Sequence, residues 1–310
     1  MTARIPERPN ERQRQMATGI VAAIVTVLIW SLWIVTTRQA ATVHLPVAWL
    51  AILRFAVPAV ALAPFWWRLG LLPRGVPLHL VAMMVAGAGA PFFVLVASGM
   101  HFASAAESGV LLGGTMPLFA ALFAAAIDRE RFGASRLAGF ALVVVAMAAI
   151  GGVAVIHGQG PGRWLVVAGA ALWAVYTHAY RRSGLAALPA AGIIAAWSTI
   201  LVAPFALAEG TAALWAAGPG MLVGELLSQG VLSGIVALAC YGTAVRILGS
   251  SRAALLAALP PAVAAVLAIP MLGEVPSPLA LGGVVLVAVG VALATGAVKL
   301  KSRRAVASGC

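Results

Sequence analysis

Apolar residues fall into ten long runs, each bounded by turn-forming or charged residues. The runs cover residues 17–37, 46–67, 77–98, 103–127, 135–156, 164–181, 190–208, 225–248, 252–272 and 278–298. Each is close to the roughly 20 residues a helix needs to cross a hydrocarbon core about 30 Å thick. Spans in lipid must be helical, because the solvent offers peptide N–H and C=O groups no partner and a helix satisfies them within one segment. Between the runs stand Pro73-Arg74-Gly75, Gly158-Gln159-Gly160-Pro161, Gly218-Pro219-Gly220 and Pro276-Ser277-Pro278, sequences that end helices and begin turns. The pattern predicts an all-α membrane protein of ten transmembrane helices, with polar tails at 1–15 and 300–310.

Composition removes the soluble alternative. Of the 310 residues, 63% are apolar and 9% charged, against about 45–50% and about 25% in ordinary soluble domains. A net charge of +12 would suit a nucleic-acid partner, but the cations stand in short clusters between apolar runs, where topology signals belong. No basic face or recognition element accompanies them, so the lipid bilayer, not nucleic acid, is the expected partner. With the N-terminus in the cytoplasm, Arg38 and Arg163 are the only cations placed outside and Arg54 lies within a span; the rest of the 20 Lys and Arg residues fall inside. This asymmetry predicts an even number of spans, cytoplasmic termini and a multi-pass protein of the cell inner membrane. Cys240 lies within a span and Cys310 is the last residue. Neither supports a disulfide framework, and no His, Cys and acid grouping has metal spacing, so no metal or cofactor is expected.

The two halves resemble each other. Pro117, Glu130, Gly139 and Gly152 lie 144 residues before Pro261, Glu274, Gly283 and Gly296, and Trp30 and Arg38 lie 143 before Trp173 and Arg181. Pro64-Phe65 recurs as Pro204-Phe205. The repeats are 16–157 and 158–299, each with five spans. An odd number of spans turns the second copy upside down, and inverted repeats of this kind give a transporter two near-equivalent states, one open to each side.

These residues resemble the drug/metabolite transporter superfamily, specifically its EamA-type ten-helix family. The resemblance rests on Pro117-Leu118-Phe119 through Asp128-Arg129-Glu130-Arg131 to Gly139, on Pro261 through Leu272-Gly273-Glu274 to Gly282-Gly283, and on Trp30 and Leu53-Arg54-Phe55. It covers nearly the whole chain; Asp128-Arg129 departs from the Leu-Gly usual before the glutamate. Membership implies a basket of ten helices around a central cavity lined by spans one, three, four, six, eight and nine. It also implies export of amino acids or related metabolites. Within the family the chain is similar to YddG-like amino-acid exporters.

Trp30 and Trp33, and again Trp173 and Tyr176, are three residues apart and share a helix face mid-span. They form either a flat apolar wall for a substrate, with Thr177 beside it, or ordinary aromatic packing. Met83 on span three and Tyr241 on span eight complete the cavity set, with His79 at the cytoplasmic end of span three. Arg54 is either a partner for a substrate carboxylate or a structural arginine on backbone carbonyls. Glu107 is expected to bind a substrate ammonium, pair with Arg54 or reach water; Glu225, in a similar setting, is expected to meet a substrate or to reach water as an interfacial carboxylate. Trp66, Trp67, Trp164 and Trp215 fit the interfacial belt. Gly87 and Pro91, Pro117, and Pro260-Pro261 interrupt spans three, four and nine, as binding sites or as close-packing points.

The expected function is a secondary transporter exporting amino acids or similar metabolites by alternating access, as a monomer, with drugs or other metabolites as alternative cargo. An intramembrane enzyme needs placed chemistry, and the sequence carries no HExxH, no intramembrane aspartate pair and no Walker A motif.

Overall fold

The computed structural model describes residues 9–129, 132–156, 160–249, 256 and 258–295. Glu130, Arg131, Arg252, the first residues of the expected ninth span, the last of the tenth, and most of both tails lie outside the described residues. The rest is helix joined by short loops, with no strand among the described residues. In chain order the helices are α1 (Pro9–Thr42), α2 (Val47–Ala61), α3 (Ala63–Trp66), α4 (Leu78–Ala88), α5 (Ala90–Gly99), α6 (Ala105–Asp128) and α7 (Ala134–Ile156). The second half brings α8 (Gly160–Ser183), α9 (Ala187–Glu209), α10 (Ala212–Ala216), α11 (Pro219–Glu225), α12 (Ala237–Leu248), α13 (Pro260–Leu272) and α14 (Pro278–Ala294). A π-helical stretch, Leu226–Val236, runs between α11 and α12.

Five stretches are long and apolar enough to cross a membrane: Gln13–Thr42, Leu78–Gly99, Ala105–Ile127, Ala187–Glu209 and Pro219–Leu248. Val47–Ala61, Ala134–Ile150, Pro260–Leu272 and Pro278–Ala294 are shorter apolar helices. The expected ten apolar runs are therefore not ten uniform rods. The second run breaks at Leu62, ahead of Pro64, into α2 and α3. The sixth, α8, carries Arg163, Arg181 and Arg182, which dilute its apolar character.

Interruptions occur where backbone bonds find another partner. In the third run the helix breaks at Gly89, and the freed Ala90 N–H donates to the Ser198 hydroxyl at 2.9 Å. Pro91 then opens α5, where a missing N–H costs nothing. Pro260 and Pro261 likewise stand at the start of α13, whereas Pro117 lies inside α6, which continues past it. Gly87 is a packing point: a Cβ there would overlap the Leu172 carbonyl and Tyr176.

Packing joins the halves. Along α7 and α14, Gly139 lies against Gly290 and Ala294, and Gly283 against Ile150, so the two helices are antiparallel. Ile150 and Ala294 are themselves 144 residues apart, so the two contacts are repeat-related. Gly87 against Tyr176 and Gly99 against Val166 set α4–α5 antiparallel to α8. Gly19 against Ile247 and Thr36 on Ser228 at 2.8 Å set α1 antiparallel to α11–α12. Trp49 donates to the Gly210 carbonyl at 2.7 Å and Trp66 covers Gly192, giving α2–α3 and α9 the same relation. Trp33 beside Phe92 and Arg38 on the Met100 carbonyl show that α1 and α4–α5 run the same way. Hence α1 and its repeat partner α8 run in opposite senses.

Glycine at these crossings lets backbones approach, the main source of association where no hydrophobic drive exists between helices. Gly139→Leu is expected to destabilise the α7–α14 pair by about 1–3 kcal/mol, as overpacking does. Gly152→Leu, whose added side chain starts in open space, should have little effect. Thermal unfolding of both variants in detergent is the comparison.

Candidate functional site

An aromatic band crosses both halves. Trp33 of α1 stacks near Phe92 of α5 with ring centres 6.5 Å apart, Phe92 meets Trp173 of α8 at 5.5 Å, Trp173 meets Tyr176 at 4.9 Å, and Tyr176 stacks on Tyr180 at 5.7 Å. Trp30 turns to Tyr241 of α12 at 5.2 Å. The Trp30–Tyr241 and Trp173–Phe92 contacts join equivalent helices of the two repeats. The two expected aromatic pairs are thus linked through Phe92, and Tyr241 extends the first pair to α12. Met83 packs with the half-buried group around Tyr176, and the Thr177 hydroxyl donates to the Ala174 carbonyl at 2.8 Å. His79 is exposed at the start of α4.

Beside Trp33 lies a polar cluster. The Gln229 amide donates to Thr37 Oγ1 at 2.9 Å and to Glu225 Oε2 at 3.1 Å. Thr37 donates to the Trp33 carbonyl at 2.6 Å, which leaves its oxygen to accept from Gln229. Arg54 Nη1 donates to the Gln229 carbonyl at 3.1 Å, and its guanidinium lies 5.4 Å from the Trp33 ring centre. Both open readings of Arg54 thus meet a backbone carbonyl as its observed partner. Glu225, 2% exposed, is buried and does not reach water as expected. The helix begins at Pro219, six residues earlier than the apolar run, which carries Glu225 inward. Trp33 Nε1, Gln229 Oε1 and Ser233 Oγ are buried with no hydrogen-bond partner.

One end of the molecule is closed by ion pairs. Arg38 Nε lies 2.7 Å from Glu274 Oε1, and Nη1 donates to the Met100 carbonyl at 2.5 Å. Glu274 Oε2 accepts the Ala105 N–H at 2.9 Å. Both oxygens of Glu107 lie on Arg163 Nη2, at 2.8 and 2.9 Å, and Glu107 forms a reciprocal cap with Ser104 at the start of α6. Glu107 therefore pairs with Arg163 and not with Arg54. Arg38 and Arg163, the two cations expected on the outer side, are both paired with carboxylates, and adjacent residues Ser104 and Ala105 place both pairs at one end. His101 lies beside His44 there, with ring centres 6.1 Å apart. Partial burial first, then the charges of His44 and Arg38, lower the pKa of His101.

Trp67, Trp164 and Trp215 are exposed as belt residues are, but Trp66 is not: its indole N–H donates to the Ala59 carbonyl at 2.9 Å and its ring covers Gly192. Beyond the break at Leu62, α3 packs Trp66 against α9. Sequence reasoning missed Thr36, Thr37, Ser228, Gln229 and Phe92. Gln229 carried a usable signal, as an amide far inside an apolar run. Apolar grooves also occur, one of about 410 Å³ lined by Leu118, Met147, Arg163 and Trp164.

The whole arrangement is that of a membrane transporter, and the chain belongs to the EamA-like transporter family, whose profile matches residues 17–152 and 160–296, one match per repeat. It is 30% identical over 292 residues to a protein of Streptantibioticus cattleyicolor described as "Probable terminal-alkyne amino-acid exporter", covering 90% of this chain and 94% of that protein. A solved crystal structure shares the fold with a TM-score of 0.62 at 20% identity, over 93% of this chain and 99% of that one.

Two consequences concern the ion-pair end. Glu274→Ala leaves the partly buried Arg38 without its counter-ion and is expected to cost about 1–3 kcal/mol, read as a lower melting temperature. For His101, the folded state resists protonation, so the unfolded chain binds the extra proton first as pH falls below about 6.5. Wild type should lose stability on acidification from pH 7 to 5 more steeply than His101→Gln, measured by thermal unfolding across that range.

Proposed function

We propose that the protein is a secondary exporter of amino acids or related small metabolites across the inner membrane, working as a monomer by alternating access between two inverted five-helix repeats with both termini in the cytoplasm. The carrying observation is the aromatic band. It draws on α1, α5, α8 and α12, so it touches both repeats, and it borders a buried cluster bearing an acid, an amide and a guanidinium. A flat apolar wall beside mixed polar groups suits a small amphipathic solute. The relative described as an amino-acid exporter supports that class of cargo. Opposed running of α1 and α8 supports two states of near-equal packing, which alternating access requires.

In this reading Trp30, Trp33, Met83, Trp173, Tyr176, Thr177 and Tyr241 face the pathway, and His79 lies at its cytoplasmic mouth. Glu107 belongs to the ion-pair closure of the opposite end. Gly87, Gly89 and Pro91 permit the third span to bend, while Pro117, Pro260 and Pro261 do so for spans four and nine.

The test is uptake of radiolabelled amino acids into liposomes containing the purified protein. Saturable flux of one or a few is expected. Trp173→Ala should raise KM roughly three- to ten-fold, since an aromatic contact contributes about 0.5–1.5 kcal/mol. Trp215→Ala, a change at an exposed residue, should not. Flux unchanged by Trp173→Ala removes the aromatic site; no flux for any amino acid moves the cargo to another metabolite class. Topology is checked separately in sealed vesicles lacking Cys240 and Cys310. A cysteine replacing Arg74 should react with an impermeant maleimide from the cytoplasmic side, and one replacing Thr211 from the other.

A further inference from the structure

Of the described glutamates, Glu107 and Glu274 are paired with arginines, Glu209 is exposed, and Glu225 is buried. Among the described residues no Lys, Arg or His lies within ion-pair distance of Glu225. An ionised carboxylate enclosed without a cation is strongly disfavoured; such a group takes up a proton or acquires a counter-ion. Its recorded partner is the neutral amide of Gln229. That amide is held by Thr37, so its nitrogen is committed to Thr37 and Glu225. The Gln229 oxygen is then left an acceptor with no donor, in a residue that is 0% exposed. An acceptor without a donor and an acid without a cation therefore occur on two residues one turn apart. A proton on Glu225 removes the uncompensated charge and makes its carboxyl a donor.

The helix carrying them departs from α-helical geometry. Glu225 ends α11, and Gln229 lies in the π-helical stretch Leu226–Val236, a ladder looser than an α-helix and frequent at functional sites. Gly230 and Gly234 in that stretch face Val57 and Pro58 of α2 without side chains of their own. The charged and titratable groups brought by neighbouring helices are few. From α2 comes Arg54, held on the Gln229 carbonyl. From α1 comes Arg38, engaged by Glu274. From α12 come Cys240, Tyr241, which turns to Trp30, and Arg246.

We propose that Glu225 is a proton-carrying site that couples export to proton movement in the opposite direction. This rests on the protein being a secondary exporter. Glu225 takes a proton from water on the outer side and is enclosed in its neutral form. It releases the proton when the cytoplasmic side opens, leaving a carboxylate for which the Arg54 guanidinium of the same cluster is the counter-charge. The cargo then occupies the pathway for the return step.

Two readouts on the full-length protein in liposomes separate the ideas. The first is infrared spectroscopy at neutral pH, subtracting Glu225→Gln from wild type. A neutral carboxyl stretch that shifts in heavy water is expected in wild type and absent from the variant. The second is amino-acid flux under an imposed pH gradient. For one proton per substrate, a gradient of one unit should concentrate cargo up to about tenfold in wild type. Glu225→Gln should ignore the gradient while keeping a melting temperature near that of wild type, which shows that it folds. Glu225→Asp, which keeps the acid, should keep the response. Flux without the carboxyl band, or a variant that follows the gradient like wild type, overturns the proton site alone. The band without any flux overturns the exporter reading alone.

Discussion

Close approach of antiparallel helices across the two repeats is the constraint on which the rest depends. Lipid gives helices no hydrophobic reason to associate, so contact between backbones must supply it. Gly139 against Gly290, Gly99 against Val166 and Gly192 under Trp66 are places where a Cβ would prevent that contact. The crossing at Gly99 brings α5 to α8, and that of Gly19 against Ile247 brings α12 to α1, so Phe92 meets Trp173 and Tyr241 meets Trp30. The aromatic band is a consequence of packing before it is a candidate for recognition.

The ion-pair end follows from the same architecture. Arg38 is fixed at the end of α1 by two successive carbonyls of the turn after α5 and by Glu274, which in turn accepts the first N–H of α6. The guanidinium of α1 thus holds two other segments, and α6 joins them through Glu274. Its planar fork of donors suits that role better than a lysine point charge. Separating these segments requires exchanging those bonds for water together.

Much of the fold was legible in the sequence because lipid reduces the choice of structure to apolar helices, and the repeat offsets at Pro117, Gly139 and Trp30 were readable as numbers. The breaks were less legible. Gly87 and Gly89 look alike in sequence, yet only Gly89 ends a helix, because Ser198 of α9 is placed to satisfy the freed Ala90 amide. The site was half visible. Aromatic residues three apart announced a shared face, but their partners Phe92 and Tyr241 depend on how α5 and α12 rotate against their neighbours. Glu225 was misplaced because an acid near the end of an apolar run looks interfacial. Its depth comes from an earlier helix start at Pro219 and from Gln229, neither of which hydropathy weighs.

What the repeats duplicate and what they do not is informative. Trp30 and Trp33 recur as Trp173 and Tyr176, so the aromatic wall obeys the symmetry. The polar cluster does not. The residues 143 after Thr36 and Thr37 are Ala179 and Tyr180, and those 144 before Glu225 and Gln229 are Val81 and Val85. Val81 and Val85 are buried in an apolar cluster with Ala179, against which Tyr180 packs. Two-state packing needs both halves to be alike, whereas a solute with distinct ends, or a single proton, needs only one set of polar groups. A second buried acid and amide in α4 would add desolvation cost with no further charge to carry. In the proposed cycle the shared framework serves motion, while the polar cluster occurs once, where α1, α2 and the π-helical stretch meet.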